Sequence, residues 1–558
     1  LAHSVSWPAA AAQSAELKVQ PSIRNPLRLS RFDGGTAEQF KGITMKLHSI
    51  ALAAAAVVAC APAFAAPAVN VDGASTVRVY LSGATALRAV VAGIVLNDIC
   101  GGSAANATTT LYNVAESGTG FNFNGNFWGI TCNVTAAGGA LVGLAANTPI
   151  AVFKSDAGGS AQGVFPVFFG DQRPFVQPVP LAGCPTVTTV DRVYSGCPGT
   201  RLETPNVGIS DVEPNVFKGV NVPKDPLDFD DDAYPADGLS EAQQALLQIT
   251  PIVQTIFGVA VNNRLYDDMF AKQGLDAKFS SAGALCTTAS TDENCIPSIG
   301  YAEARSLFSG TETSWRLVSN NAALQNSQIN ICRRVDGSGT QASANLHLLT
   351  FPCNDSAGSP ADWTFSSSAA PEAMSAALSI TESGKSIANY LIDNMGGGTG
   401  TGPMPTGSTF VFEGPGTGDV VNCLNRANNA QGYAIGHVSK ENVPGSGLWK
   451  HVRLEGANPL RDNAKQGRYD YTVESTVQYL KSAFNLLTPS QQAFINGFTE
   501  QIKKPDSLAK LSTANQQGVA ALPNSYAGAF GSGNANTIAF GSRVTRAGNS
   551  CNPMTAVK

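Results

Sequence analysis

The stretch "RRVDGSGTQASANLHLL", residues 333–349, sets Arg334, Asp336, Ser338, Gly339 and Thr340 just ahead of a run in which Ala342, Leu346 and Leu349 recur at helical spacing. A guanidinium presents a planar fork of N–H donors, and small residues at a helix start leave backbone N–H groups and the positive dipole end open to an anion. Hydroxyls at 338 and 340 add further donors. The combination suits a dehydrated tetrahedral oxyanion, which has many acceptors to satisfy. Taken alone, Gly-Ser-Gly-Thr is a turn opening a helix, and Arg334 with Asp336 is a surface ion pair. What lifts the stretch above that reading is repetition elsewhere in the chain.

Four places share one local grammar of strand, small polar turn and, usually, helix. In "STVRVYLSGATALRAVVAGIVLNDI", Val77, Val79 and Leu81 alternate as a strand, and Leu87, Val90, Val91, Ile94 and Val95 follow at helical spacing, with Thr85 and Ala86 in the turn. "NVGISDVEPNVF" leads from Val207 and Ile209 into Ser210 and Asp211, and Ile329 and Ile331 lead into the arginine stretch. "STFVFEGPGTGDVVNCLNRA" repeats the plan with Phe410 and Phe412, a glycine-rich turn, then Val420, Val421 and Leu424. Strands alternating with helices predict an α/β fold with largely parallel sheets, whose ligands bind at the carboxyl ends of strands. Less periodic segments, near 100–150, 170–205, 221–240, 353–370, 396–408 and 525–558, read as surface insertions.

These motifs resemble the periplasmic phosphate-binding proteins of ABC transporters. "RRVDGSGT" is similar to that family's signature loop, "GISDVEP" to its second loop and "LSGATALR" to its first, in the same order. "PIVQTIFGVAVNN" and "NNAQGYAIGHVS" resemble the segments that cross between the family's lobes, so the likeness runs over residues 75–455. It implies a type II-like two-lobed α/β binding protein, each lobe a mixed, largely parallel sheet flanked by helices, with long loop insertions. One lobe would comprise residues 69–255 plus 436–558, the other 256–435. Ligand contacts are implied for Thr85, Ala86, Asp211, Arg334, Ser338, Gly339 and Thr340, with Ser210 supporting and Asp336 orienting Arg334. Asp211 favours a ligand that carries a proton to donate, hydrogen phosphate or arsenate over sulfate. The implied function is capture of phosphate or a similar protonated oxyanion for ABC-type uptake, with an ABC permease as partner. One departure stands out. Where the family has a serine donor, this chain has "KSDAGGSAQGV", residues 154–164, which sets Asp156 near that serine's place and leaves Ser155 and Ser160 as alternative donors. A second carboxylate would oppose a dianion, which keeps open a different class of function: a secreted or surface-matrix protein that retains the fold and uses its insertions for adhesion or assembly.

Composition fits an exported protein. Met45 opens "MKLHSIALAAAAVVAC", and Ala63-Phe64-Ala65 offers a small-x-small cleavage site, so 45–65 reads as a signal peptide cut after Ala65. Residues 1–44 read as upstream sequence that is untranslated or disordered, and a lipoprotein site at Cys60 is the less favoured alternative. Eleven cysteines less Cys60 leave ten, an even number suited to an oxidising periplasmic or secreted setting. Near neighbours suggest Cys184 with Cys197, Cys286 with Cys295 and Cys332 with Cys353. A formal net charge of −5 lacks the basic excess of a nucleic-acid binder, and no apolar run after Ala65 is long enough to span a bilayer.

No enzyme is expected. CxxC and CxxH pairs are absent, no Gly-x-Ser-x-Gly elbow occurs, and His347, His437 and His451 are the only histidines after Ala65, so neither a metal site nor a hydrolase triad nor a cofactor is predicted. Asp228, Asp230 and Asp232 alternate, but an EF-hand would need Gly at Ala233 and Glu at Leu239, so the segment reads as a solvated acidic loop.

Overall fold

The structure is a computed structural model that describes residues 69–102, 106–113, 126–177, 186–188, 193–194, 196–197, 199–223, 234–354, 360, 365–366, 381–382, 385–386, 409–414 and 416–558. The expectations for residues 1–65, the acidic residues Asp228 to Asp232, Cys184 and the glycine-rich stretch before 408 lie outside these.

The strands used below are β1 (Val77–Gly83), β2 (Thr110–Asn113), β3 (Phe127–Asn133), β4 (Pro149–Ser155), β5 (Thr186–Thr188), β6 (Val193–Tyr194), β7 (Val207–Ser210), β8 (Leu247–Asn262), β9 (Ile329–Arg334), β10 (Phe365–Ser366), β11 (Thr409–Gly414), β12 (Ala434–Ser439) and β13 (Thr472–Leu480). They form one mixed sheet in the order β10–β11–β9–β12–β8–β13–β7–β1–β4–β3–β2–β6–β5. The helices used are α1 (Arg88–Gly93), α2 (Gly339–Leu349), α3 (Thr417–Asn429) and α4 (Pro489–Ile502).

The architecture is α/β, and the strand-turn-helix units predicted from periodicity are present. The sheet is more continuous than the sequence suggests, because β8 belongs to both halves. Its first part pairs antiparallel with β13, from Leu247↔Leu480 to Ile256↔Thr472, and its second part pairs antiparallel with β12, from Phe257↔Ser439 to Val261↔Ile435. Pro251 has no N–H to give to a ladder, and the register with β13 shifts between Pro251 and Val253. On one side, β1 runs parallel to β4 and β7. On the other, β9 runs parallel to β11 and β12. Both sets of turns therefore open toward the carboxyl ends of parallel strands.

Segment 100–150 is not the surface insertion its composition suggests. Thr110–Asn113 and Phe127–Asn133 join the main sheet, and the inner strand β3 is buried on both faces, so no alternation marks it.

The cysteine pairing differs from the near-neighbour expectation in one place. Cys286–Cys295 forms as expected, but Cys332 bonds Cys423 and Cys353 bonds Cys551, and Cys100 bonds Cys132. The reason is strand parity. Ile329 and Ile331 face the core that holds α2, whereas Cys332 points to the opposite face, where Phe410, Val420, Cys423 and Leu424 pack. The connection from β9 to β11 moves one way across the sheet and that from β11 to β12 moves back, so right-handed crossovers put α2 and α3 on opposite faces. Cys353 follows α2, away from Cys332.

Cys551 belongs to a strap, residues 541–558, that crosses the molecule. Glu474 on β13 accepts from Thr545 Oγ1 at 2.5 Å, Arg546 N at 2.6 Å and Gly548 N at 2.7 Å. Glu213, two residues past Asp211, accepts from Ser550 Oγ and from the Ser550 N–H. The next residue is the half-cystine bonded to Cys353.

Candidate functional site

Three turns converge where β1, β7 and β9 end. Gly83 closes β1 with φ +99°, and a Cβ there would lie 2.2 Å from the Ile209 carbonyl oxygen, so only glycine lets the first turn approach β7. Ala84 N donates to that same Ile209 oxygen at 2.9 Å. The third turn meets the first two through residues 158–163: Ala161 N donates to Gly337 O at 2.9 Å. Gly339 sits so close that a Cβ on it would be 2.3 Å from Ser160 Oγ and 2.6 Å from Asp211 Oδ2.

Asp211 lies at the centre. It is 2 % exposed, its Oδ2 accepts from Ser160 Oγ at 2.9 Å, and Ser160 Oγ in turn accepts from Asp211 N at 3.1 Å. Its Oδ1 is buried and accepts no hydrogen bond among the described residues. Burial pushes its carboxyl up to about 6 against the opposing pull of Ser160, Arg334 and Lys154.

Arg334 is buried at 1 % exposure, which excludes the surface-pair reading. Its Nη1 donates to Thr417 Oγ1 at 3.3 Å. Burial lowers the guanidinium to about 10 while Asp419 and Asp211 support its charge. Beyond it, α2 starts at Gly339 with Ser338 as N-cap and no side chain capping it. The first helical bond is Ala342 N to Ser338 O at 2.9 Å, so the N–H groups of Gly339, Thr340 and Gln341 have no partner within the helix. Ser338, Gly339 and Thr340 are all buried.

The other expected residues divide. Ala86 is buried in the first turn, and Thr85 beside it donates to the Asp156 carbonyl oxygen at 3.3 Å. Ser210 is buried but its hydroxyl turns to Val212 O, shaping its own loop. Asp336 lies half-buried in the turn between β9 and α2.

Asp156 does not stand as an uncompensated second carboxylate. Its Oδ2 accepts from Arg88 Nε and Trp128 Nε1, each at 2.7 Å, and its Oδ1 from Lys154 Nζ. Arg334 is therefore not the only cation here, because Lys154 and Arg88 stand with it. Lys154 was legible as a charged residue inside the apolar strand "IAVFKS", a cue that a buried partner waits nearby. Glu441, held by Ser439 Oγ at 2.6 Å and Asn442 Nδ2 at 3.1 Å, is half-buried and pushed up to about 7 by desolvation. The sequence pattern carried no signal for it.

The histidines are structural. His347 Nε2 meets Thr472 O at 3.0 Å, and His437 packs edge-on to Phe308. Burial draws both down to about 3, so they are neutral near pH 7. No cluster of three or more metal-ligating side chains occurs among the described residues, and no described helix is long and apolar enough to cross a membrane.

No family model matches the chain, and no curated protein matches it. Among solved structures, the chain is similar to a candidate phosphate ABC transporter substrate-binding protein with bound phosphate from Clostridium perfringens, at 11% identity and TM-score 0.35, covering 79% of this chain and 99% of that one. An ABC-type phosphate transport receptor from Vibrio cholerae matches at 10% identity and TM-score 0.31, over 75% and 93% of the two chains. A phosphate-binding protein from Stenotrophomonas maltophilia matches at 12% and 0.30, over 76% and 83%. At such scores the likeness carries no argument, and the functional reading rests on the residues themselves.

Proposed function

We propose that this chain is an exported solute-binding protein that captures hydrogen phosphate, or a similarly protonated oxyanion, where the turns after β1, β7 and β9 meet. The observation that carries the reading is Asp211 Oδ1, a buried carboxylate oxygen that accepts no hydrogen bond among the described residues, beside buried Arg334 and the uncapped start of α2. An ionised carboxylate can only accept, so its natural complement is a ligand with an acidic O–H. The remaining ligand oxygens would take the α2 N–H groups, the Arg334 guanidinium and the hydroxyls of Ser338 and Thr340, with Thr85 and Ala86 on the opposite side.

Ser160 takes the part of the serine donor from the Gly/Ser-rich loop, since its hydroxyl already sits against Asp211. The lobes, taken as 69–255 with 436–558 and as 256–435, would close on the ligand by a hinge, and an ABC permease would read the closed form. The paired cysteines support an oxidising compartment. The surface-matrix alternative loses the residue that favoured it, because Asp156 is neutralised by its own neighbours.

Calorimetric titration of inorganic phosphate into protein freed of bound anion tests the reading. A saturable heat lost in Arg334→Ala is expected. No binding at millimolar phosphate would end it.

A further inference from the structure

Four strand-turn-helix units stand out in the sequence, and the proposed site uses the turns of three. The fourth, β11 into α3, ends beside them. β9 and β11 are parallel neighbours with Arg334 opposite Gly414, so their turns leave the sheet at the same level. Val335 N donates to Gly414 O at 3.1 Å, which ties the start of one turn to the start of the other.

The two adjacent arginines divide between the strand and the turn of that unit, because successive side chains on a strand point to opposite faces. Arg333 Nε donates to Oε1 of Glu413, its cross-strand neighbour on β11, at 2.9 Å. Arg334 reaches past the end of β11, where its Nη1 meets Thr417 Oγ1.

The turn is built to hold Thr417 in place. A Cβ on Gly414 would lie 2.3 Å from the Asp419 Cβ, so only glycine lets the start of α3 fold back onto the strand end. Asp419 Oδ2 accepts from Gly416 N at 2.7 Å and Asp419 N donates to Gly416 O at 3.1 Å, which brackets Thr417 between the two. Thr417 is the first residue of α3 and half-buried. Its hydroxyl accepts from Arg334 and donates to no group among the described residues. A hydroxyl has an O–H as well as lone pairs, so Thr417 keeps one donor to give.

We propose that the turn after β11 is a fourth part of the site and that Thr417 is its positioning residue, fixing the plane in which the Arg334 guanidinium meets the oxyanion. The proposal rests on the oxyanion reading above. A guanidinium grips two ligand oxygens only when its plane is set to contain them. Thr417 takes one of its five N–H bonds and leaves the rest for the ligand and for other neighbours.

The test measures phosphate affinity by calorimetry. Thr417→Val keeps the shape and removes the hydroxyl, so affinity should fall about threefold to tenfold. Thr417→Ser returns the hydroxyl, and affinity should come back close to that of the unmodified protein. In an Arg334→Lys background, Thr417→Val should change little, since an ammonium has no plane to orient. Unchanged affinity in Thr417→Val, a loss that Thr417→Ser does not restore, or an equal loss in the lysine background would each overturn the proposal. Should Thr417→Val not fold, Thr417→Ala carries the same test. If the unmodified protein itself binds no phosphate, it is the oxyanion reading that has failed.

Discussion

Asp156 and Asp211 are both buried carboxylates in one cluster, and both sit just past the end of a parallel strand. Asp156 takes hydrogen bonds on both oxygens from Lys154, Arg88 and Trp128. Asp211 is held on one oxygen by Ser160, and the other has no donor among the described residues. The first arrangement is complete without any ligand and fixes a turn. The second leaves one oxygen open, as the proposed ligand contact requires, because a donor supplied by the protein would compete with the ligand's own. The role of a buried acid is thus read from its partners, not from its place in a motif.

The sharpest way to break this comparison is to remove Asp156. Asp156→Ala leaves Lys154 and Arg88 buried or half-buried without their carboxylate, and breaking such a pair costs about 3–5 kcal/mol. Urea denaturation should show that loss, and an unchanged midpoint would mean that the ion pairs of Asp156 with Lys154 and Arg88 contribute nothing to the fold. Next comes Arg334→Ala, which should weaken phosphate binding well over tenfold, because charge-assisted bonds in a buried site are about twice as strong as neutral ones. The chain should still fold, and an unaltered dissociation constant would move the ligand elsewhere.

Asp211→Asn should act in the opposite sense on stability. Its carboxyl is raised from 3.8 to about 6 in the folded chain, so the folded state binds the proton more tightly. That contribution is present in full below the unfolded value and is lost as pH rises through about 6. The variant lacks this loss, so above pH 6 it should be the more stable protein by on the order of 1–3 kcal/mol, with the difference vanishing near pH 4. His347 and His437 slope the other way: both are lowered to about 3, so their contribution is present above about 6.5 and lost as pH falls. They are common to both proteins and cancel in the difference. Urea melts at several pH values test this. The smallest effect concerns selectivity. Sulfate has no proton near neutral pH, so it should be excluded by the unmodified protein and gain severalfold relative to phosphate in Asp211→Asn. Equal affinities in the unmodified protein would remove Asp211 from the ligand.

The strands that alternate or carry β-branched runs, such as Val77–Gly83 and Ile329–Arg334, were legible, as were the helices whose apolar faces carry Ala342 and Val420. Cys332 was legible too, had its parity been set against Ile329 and Ile331; chain proximity to Cys353 is a weaker guide than which face a side chain occupies. Phe127–Asn133 was not legible, because a strand buried on both faces shows no period of two. In the site, Arg334 and Asp211 announce themselves by motif, whereas Glu441 becomes visible only once β12 has delivered it beside them. Asp156 was misleading for the same reason: its charge and Lys154 two residues before it are plain in the sequence, but its other donors, Trp128 and Arg88, lie 28 and 68 residues away.

The strap has a mechanical consequence. Ser550 grips Glu213 and its neighbour Cys551 is bonded to Cys353, so the segment bearing Asp211 and the far end of α2 are joined by a leash one residue long. A peptide unit extends by at most about 3.6 Å, which bounds how far those two points can part while the Glu213 contact and the disulfide both hold. The segment bearing Asp211 and the end of α2 can therefore separate only by small excursions until the two hydrogen bonds at Glu213 yield, because the disulfide beside them does not.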